Sequence, residues 1–140
     1  MICLKCNNPK TNVINSRQAK KQPETWRRRQ CLKCKYIFTT YELPAYDQIV
    51  VHTNGKDVPF HITTLSLSIA SCFEHTPKDR ANFTQSLTNT IIAKLIRLEK
   101  EPLSPNLIAH VTFDTLKTFD RLASIQYAAR HADILSSKIK

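Results

Sequence analysis

Glycine is almost absent: Gly55 is the only one in 140 residues. A phosphate-cradling loop of the G-x-x-x-x-G-K type is therefore excluded, because its glycines let backbone N–H groups converge on the phosphates. No run approaches the ~18 to 20 apolar residues that cross a bilayer, and there is no internal repeat or low-complexity tract. The opening Met-Ile-Cys-Leu-Lys holds no apolar segment that could serve as a signal peptide, so a soluble, cytoplasmic chain is expected. His52, His61, His75, His110 and His131 are scattered, and no nucleophile stands beside a base in a recognisable motif. Enzyme activity is not expected.

Acidic residues are scarce where basic ones are dense. Residues 1–44 carry ten Lys or Arg against only Glu24 and Glu42, while residues 45–140 carry eleven against nine. Most of the net charge of +10 therefore belongs to the first third of the chain. Such clustering suits a polyanion, of which nucleic acid is the commonest, although a basic surface kept for solubility is the plainer reading.

That basic segment is built around Cys3 and Cys6, then Cys31 and Cys34. A two-residue spacer lets both thiolates of a pair reach one ion from a tight turn, and two such turns complete a tetrahedral all-sulfur zinc site. Two disulfides would need an oxidising compartment, and a redox C-x-x-C would sit once in a βαβ context that is missing here. Four thiolates leave no open position for water, so one structural Zn2+ is expected. The fifth cysteine, Cys72, falls in an apolar helical stripe and reads as a small core residue.

Between the cysteine pairs, residues 11–17 read as a strand, 20–24 as a loop containing Pro23, and 25–30 as the return strand, with a third strand at 36–42. Alternation places Arg27 and Arg29 on one face and Trp26, Arg28 and Gln30 on the other. The first face is assigned to phosphates or base edges. On the second, Arg28 is expected beside the Trp26 indole, with Trp26 also covering a thin core.

Residues 44–47 form a linker. Residues 49–53 and 56–60 flank Asn54-Gly55, a type I′ hairpin signal. A first helix is expected over about 63–75, with Leu65, Ile69, Cys72 and Phe73 inward. Thr76-Pro77 then caps a second, whose stripe is Phe83, Leu87, Ile91, Leu95 and Leu98, stopped by Pro102. Ser104-Pro105 opens a third helix through about Phe119, and Asp120 caps a fourth to about Leu135. The fold class is α+β: a small all-β ribbon at 1–44, then a hairpin plus helical bundle at 45–140.

This arrangement resembles the NrdR family, bacterial regulators of ribonucleotide reductase genes that join a zinc ribbon to an ATP-cone. The resemblance is carried by Cys3-x2-Cys6, by Val13-Ile14-Asn15-Ser16-Arg17, by Arg27-Arg28-Arg29-Gln30-Cys31-x2-Cys34, and by Phe38-Thr39-Thr40-Tyr41-Glu42. It implies a repressor that binds double-stranded DNA at palindromic operators through Asn15, Ser16, Arg17, Trp26, Arg27, Arg28 and Arg29. It also implies self-association set by ATP or dATP, with Val51, His52, Lys56, Thr64 and Tyr127 as the nucleotide-site candidates.

Several positions depart from the family pattern. Asn15 replaces an Asp, Trp26 an Arg and Ile37 an Arg; His52, Thr53 and Thr64 stand where phosphate-binding Lys or Arg occur. Val58 replaces a Glu, and Ser124 and His131 replace two tyrosines. A triphosphate of about −4 charge needs cationic or oriented amide partners, so nucleotide binding is expected to be weak. Two other functions fit the residues: an RNA- or ribosome-associated ribbon, using Trp26, Tyr36 and Tyr41 for stacking, and a nucleotide-responsive accessory subunit.

Overall fold

The computed structural model describes residues 1–20, 24–46, 48–98 and 102–135. The loop expected at 20–24 therefore lies largely outside the described residues, as does Asp47 of the linker. The chain divides into two compact units, Met1–Ala45 and Tyr46–Lys140.

The first unit is a three-stranded antiparallel sheet in the order β1 (Thr11–Gln18), β2 (Thr25–Cys31), β3 (Ile37–Glu42). Its register is regular between β2 and β3 but shifts between β1 and β2 at Val13/Asn15, which makes Ile14 a bulge residue. Among its described residues only Cys3, Cys31 and Phe38 are buried. Phe38, stacked on Tyr36 at 6.1 Å between centroids, is thus the buried aromatic of the sheet. Trp26, expected to cover the thin core, is half-buried.

The second unit begins with the hairpin β4 (Val50–Thr53) and β5 (Lys56–Pro59). Asn54 (φ 51°) and Gly55 (φ 72°) supply the two left-handed residues that the type I′ turn demands. Leu103 then docks parallel to β4, the His52 N–H donating to its carbonyl at 2.8 Å and its own N–H donating to Val50 at 2.9 Å. This addition has no local sequence signal, because it joins residues about fifty positions apart.

Helices α1 (Ile62–Ala70), α2 (Arg80–Arg97), α3 (Pro105–Phe119), α4 (Arg121–Arg130) and the short α5 (Ala132–Leu135) follow. Leu65, Ile69, Cys72 and Phe73 are buried, as their spacing predicts, and the Cys72 thiol donates to the Ser68 carbonyl at 3.3 Å. Burial pushes that thiol's pKa up, as befits a core residue. Helix α3 starts and stops where expected, the Ser104 hydroxyl accepting from the Leu107 N–H at 3.2 Å.

Three boundaries differ, the first being the end of α1, which stops at Ala70 and not near His75. Thr76-Pro77-Lys78-Asp79 is a turn closed by Asp79 N–H to the Thr76 carbonyl at 3.2 Å, and α2 begins only at Arg80. A polar residue followed by proline is as good an opening for a type I turn as for a helix, so the local signal was ambiguous. The expected fourth helix breaks at His131, whose φ of −122° and ψ of 30° are not helical. The α2 stripe also ends early: Leu98 is exposed, while Thr88 and Ile92 are buried beside Leu87, Ile91 and Leu95.

Asp120 caps α4 by accepting from the Ala123 N–H at 2.9 Å, and it pairs with His75 at 3.0 Å. The Ala123 N–H, then His75, hold its carboxyl below the usual carboxylate range. Because the folded pKa is the lower one, its stabilisation is present at neutral pH and is lost as pH falls through that depressed value.

Phe73 is fully buried and meets Phe83 at 5.6 Å and Phe119 at 6.1 Å. Phe73→Ala is expected to lower the unfolding free energy of the second unit by about 3 to 5 kcal/mol, read by chemical denaturation. An effect below about 1 kcal/mol would mean that this cluster does not hold α1 to α2 and α3.

Candidate metal centre and nucleic-acid interface

Cys3, Cys6, Cys31 and Cys34 converge so that all four sulfurs lie within 4.8 Å of one another. The Cys3–Cys34 and Cys6–Cys31 sulfurs are 3.7 and 3.6 Å apart. A tetrahedral ion with Zn–S bonds of about 2.3 Å requires edges of about 3.8 Å, so one zinc fits. The two knuckles are near copies, Cys3-Leu4-Lys5-Cys6 and Cys31-Leu32-Lys33-Cys34. In each, the residue after the second cysteine is left-handed, Asn7 at φ 55° and Lys35 at φ 60°. Its N–H returns to the carbonyl of the first cysteine, at 3.0 Å from Asn7 and 3.1 Å from Lys35.

Asparagine tolerates this conformation and lysine does so less readily. The matched tetrapeptides were the signal for these turn positions, and sequence reasoning passed them by.

Backbone donors point at the sulfurs: Lys5 N–H to Cys3 at 3.4 Å and Cys34 N–H to Cys31 at 3.5 Å. The Asn8 side-chain amide also donates to Cys31, at 3.8 Å. Hydrogen bonding from Cys34 chiefly lowers the Cys31 pKa to about 6. Cys6 is pushed up to about 11: a backbone hydrogen bond from Asn8 lowers it, but the neighbouring thiols and burial outweigh that. Four adjacent thiols thus resist joint ionisation until a cation neutralises them, and metal loading displaces protons. With four sulfur ligands the ion is held for structure, with no position left for a reacting water.

Above this centre, cross-strand partners share a face of the sheet. One face carries Arg27, Arg29, Phe38, Thr40 and Glu42. There Arg27 donates to the Glu42 carboxylate at 2.6 and 3.0 Å, and Arg29 to the Thr40 hydroxyl at 3.2 Å. Glu42 was not foreseen as a partner; it lies opposite Thr25, diagonal to Arg27. On the other face Arg17 lies opposite Trp26, which lies opposite Tyr41, and Asn15 lies opposite Arg28, which lies opposite Thr39. The indole thus has Arg17 as its cross-strand neighbour, with Arg28 on the same face two residues along β2. Ser16 falls on the first face, opposite Arg27. No acid occupies a strand position of the second face; Glu24 immediately precedes β2.

The nucleotide candidates are brought together only in part. Val51, Thr64 and Tyr127 line an apolar cavity of about 310 Å³ with Ser68 and His131. His52 and Lys56 do not line it; exposed His52 sits 2.6 Å from the Asp57 carboxylate. No Lys or Arg is among the described residues of that lining. His131 is 2.8 Å from the Ser68 hydroxyl, and burial, then Arg130, lower its pKa. Ser124 is buried, its hydroxyl donating to the Arg121 carbonyl.

Fold and site define a zinc-ribbon protein, a sheet carrying a four-cysteine metal centre followed by a unit of one hairpin and packed helices. Residues 1–42 match the family described as the N-terminal domain of transcriptional repressor NrdR-like proteins. Over 143 aligned residues the chain is 33% identical to transcriptional repressor NrdR of Methylacidiphilum infernorum, covering 99% of this chain and 83% of the relative. It is 31% identical to that of Halorubrum lacusprofundi, covering 92% and 80%, and 28% identical to that of Acinetobacter baylyi, covering 95% and 84%. The chain belongs to the NrdR family of transcriptional repressors. Its zinc is structural and its class is that of a regulator, not an enzyme; membership of the family implies DNA binding. No helix among the described residues is long and apolar enough to cross a membrane.

Proposed function

We propose that this chain represses ribonucleotide reductase genes by binding palindromic duplex operators through the Arg17–Arg28 face of its ribbon. The partition of the arginines carries this reading and moves the DNA contacts off the Arg27–Arg29 face expected from alternation alone. Arg27 faces a carboxylate that a phosphate would have to displace, whereas Arg17 and Arg28 stand exposed on a face whose strand positions are free of acids. Phosphate contacts from these two would set register, and Asn15 between them would reach base edges. Residues 1–44 serve as the DNA-binding unit and residues 45–140 as the self-associating one, so that two ribbons meet two half-sites. Fluorescence anisotropy with a duplex carrying an inverted repeat, against a scrambled duplex of equal length, tests the reading. Preference for the repeat by at least ~10³-fold is the expectation for a specific site, and equal affinities would remove the operator-binding function.

Nucleotide control is weak in this chain. A cavity without cationic lining among the described residues supports that reading, since each charge-assisted phosphate contact is worth ~1.5 to 3 kcal/mol and losing two costs roughly a hundredfold or more in affinity. Calorimetry with ATP and with dATP should show no micromolar binding, and the oligomer should respond to protein concentration more than to either nucleotide. Micromolar binding accompanied by a change of oligomer would refute this.

A further inference from the structure

The second face of the sheet holds more than a duplex can use. At the end of β1 and the start of β2 lies a hollow of about 240 Å³ lined by Arg17, Gln18, Ala19 and Trp26. Guanidinium, indole and phenol follow one another across the three strands, as Arg17, Trp26 and Tyr41. Trp26 is half-buried and Tyr41 is 59% exposed, and among the described residues neither has an aromatic ring partner.

A duplex presents phosphates and base edges while its base faces stay inside the stack, so the duplex contacts assigned to Arg17, Asn15 and Arg28 leave the faces of these rings unused. An unpaired base has a free π-face that stacks on indole, phenol or guanidinium. The hollow is smaller than the ~300 Å³ at which drug-sized pockets begin, which suits one planar heterocycle.

We infer that this face also binds single-stranded DNA, with one base held in the hollow between Arg17 and Trp26 and a neighbouring base on Tyr41. The inference rests on the assignment of this face to DNA, and opened duplex is the source of the unpaired bases. Lys20, exposed two residues beyond Gln18, adds positive charge at that end of the sheet.

Trp26 is the only tryptophan of the chain, so its emission reports the event directly. Titration of the zinc-loaded, full-length protein with a sixteen-residue thymidine oligonucleotide should quench that emission saturably, and a duplex of equal length should quench it far less. Tyr41→Ala should weaken the single strand by roughly 5- to 100-fold, the range of one lost base–aromatic stack. Duplex affinity, followed by anisotropy, should change less than twofold, with zinc content unaltered. Absence of quenching by the single strand while the duplex still binds would overturn this inference alone. Failure of both to bind would overturn the DNA assignment of the face. Tighter binding of the RNA of equal sequence would overturn the choice of DNA.

Discussion

Cys31→Ser is expected to release the zinc, unfold residues 1–42 and abolish DNA binding, while the helical circular dichroism of the second unit persists. Cys31 is fully buried and accepts from the Cys34 N–H and the Asn8 amide, so its loss removes an ion ligand and the acceptor of both donors. The ribbon has little else to hold it: apart from two cysteines, Phe38 is its one buried side chain among the described residues. Structural zinc supplies about 10 to 16 kcal/mol of folding free energy in small modules of this kind, far more than one aromatic can replace. The second unit has its own core of Phe73, Ile91, Ile92, Leu116 and their neighbours. Zinc content, far-ultraviolet dichroism and DNA anisotropy on the same variant read the three outcomes. Retention of DNA binding after zinc loss, or cooperative loss of all helix, would contradict this account.

The double variant Arg17→Ala/Arg28→Ala is expected to weaken duplex binding by roughly 30-fold at 0.15 M salt from counterion release alone, and to reduce the salt slope by about 1.8. The same change at Arg27 and Arg29 should do much less. Removing Arg27 frees Glu42 from an exposed pair worth about 0 to 1 kcal/mol, so neither the fold nor the face proposed to contact phosphates is greatly altered. Affinity measured from about 50 to 200 mM salt for both double variants separates the faces. A larger slope change for Arg27/Arg29 than for Arg17/Arg28 would reverse the assignment.

Much of this protein was legible in local sequence. The spacing of four cysteines requires two knuckles on one ion whatever the rest of the chain does, and the structure brings their sulfurs to zinc-binding separations. Asn54-Gly55 is the one pair in the chain suited to a type I′ turn, and the hairpin forms there. Ser104-Pro105 and Asp120 bound α3 because capping is satisfied within a few residues. The resemblance to the NrdR family lay in such short blocks too, and whole-chain comparison bears it out.

The use made of the arginines was decided elsewhere. Alternation along β2 separates Arg27 and Arg29 from Trp26 and Arg28 by itself, but it says nothing of what β1 and β3 set against them. An unbroken β1 would place Arg17 opposite Thr25, on the Arg27 face. The single extra residue at Ile14 shifts the register, so that Arg17 meets Trp26 and Asn15 meets Arg28. The β3 register likewise puts Glu42 within reach of Arg27, on the face where Phe38 is buried. Cysteine spacing and caps act through covalent neighbours and are therefore visible in the sequence. Strand register is set by pairing between segments about ten or more residues apart, so only the assembled sheet determines which charges share a face.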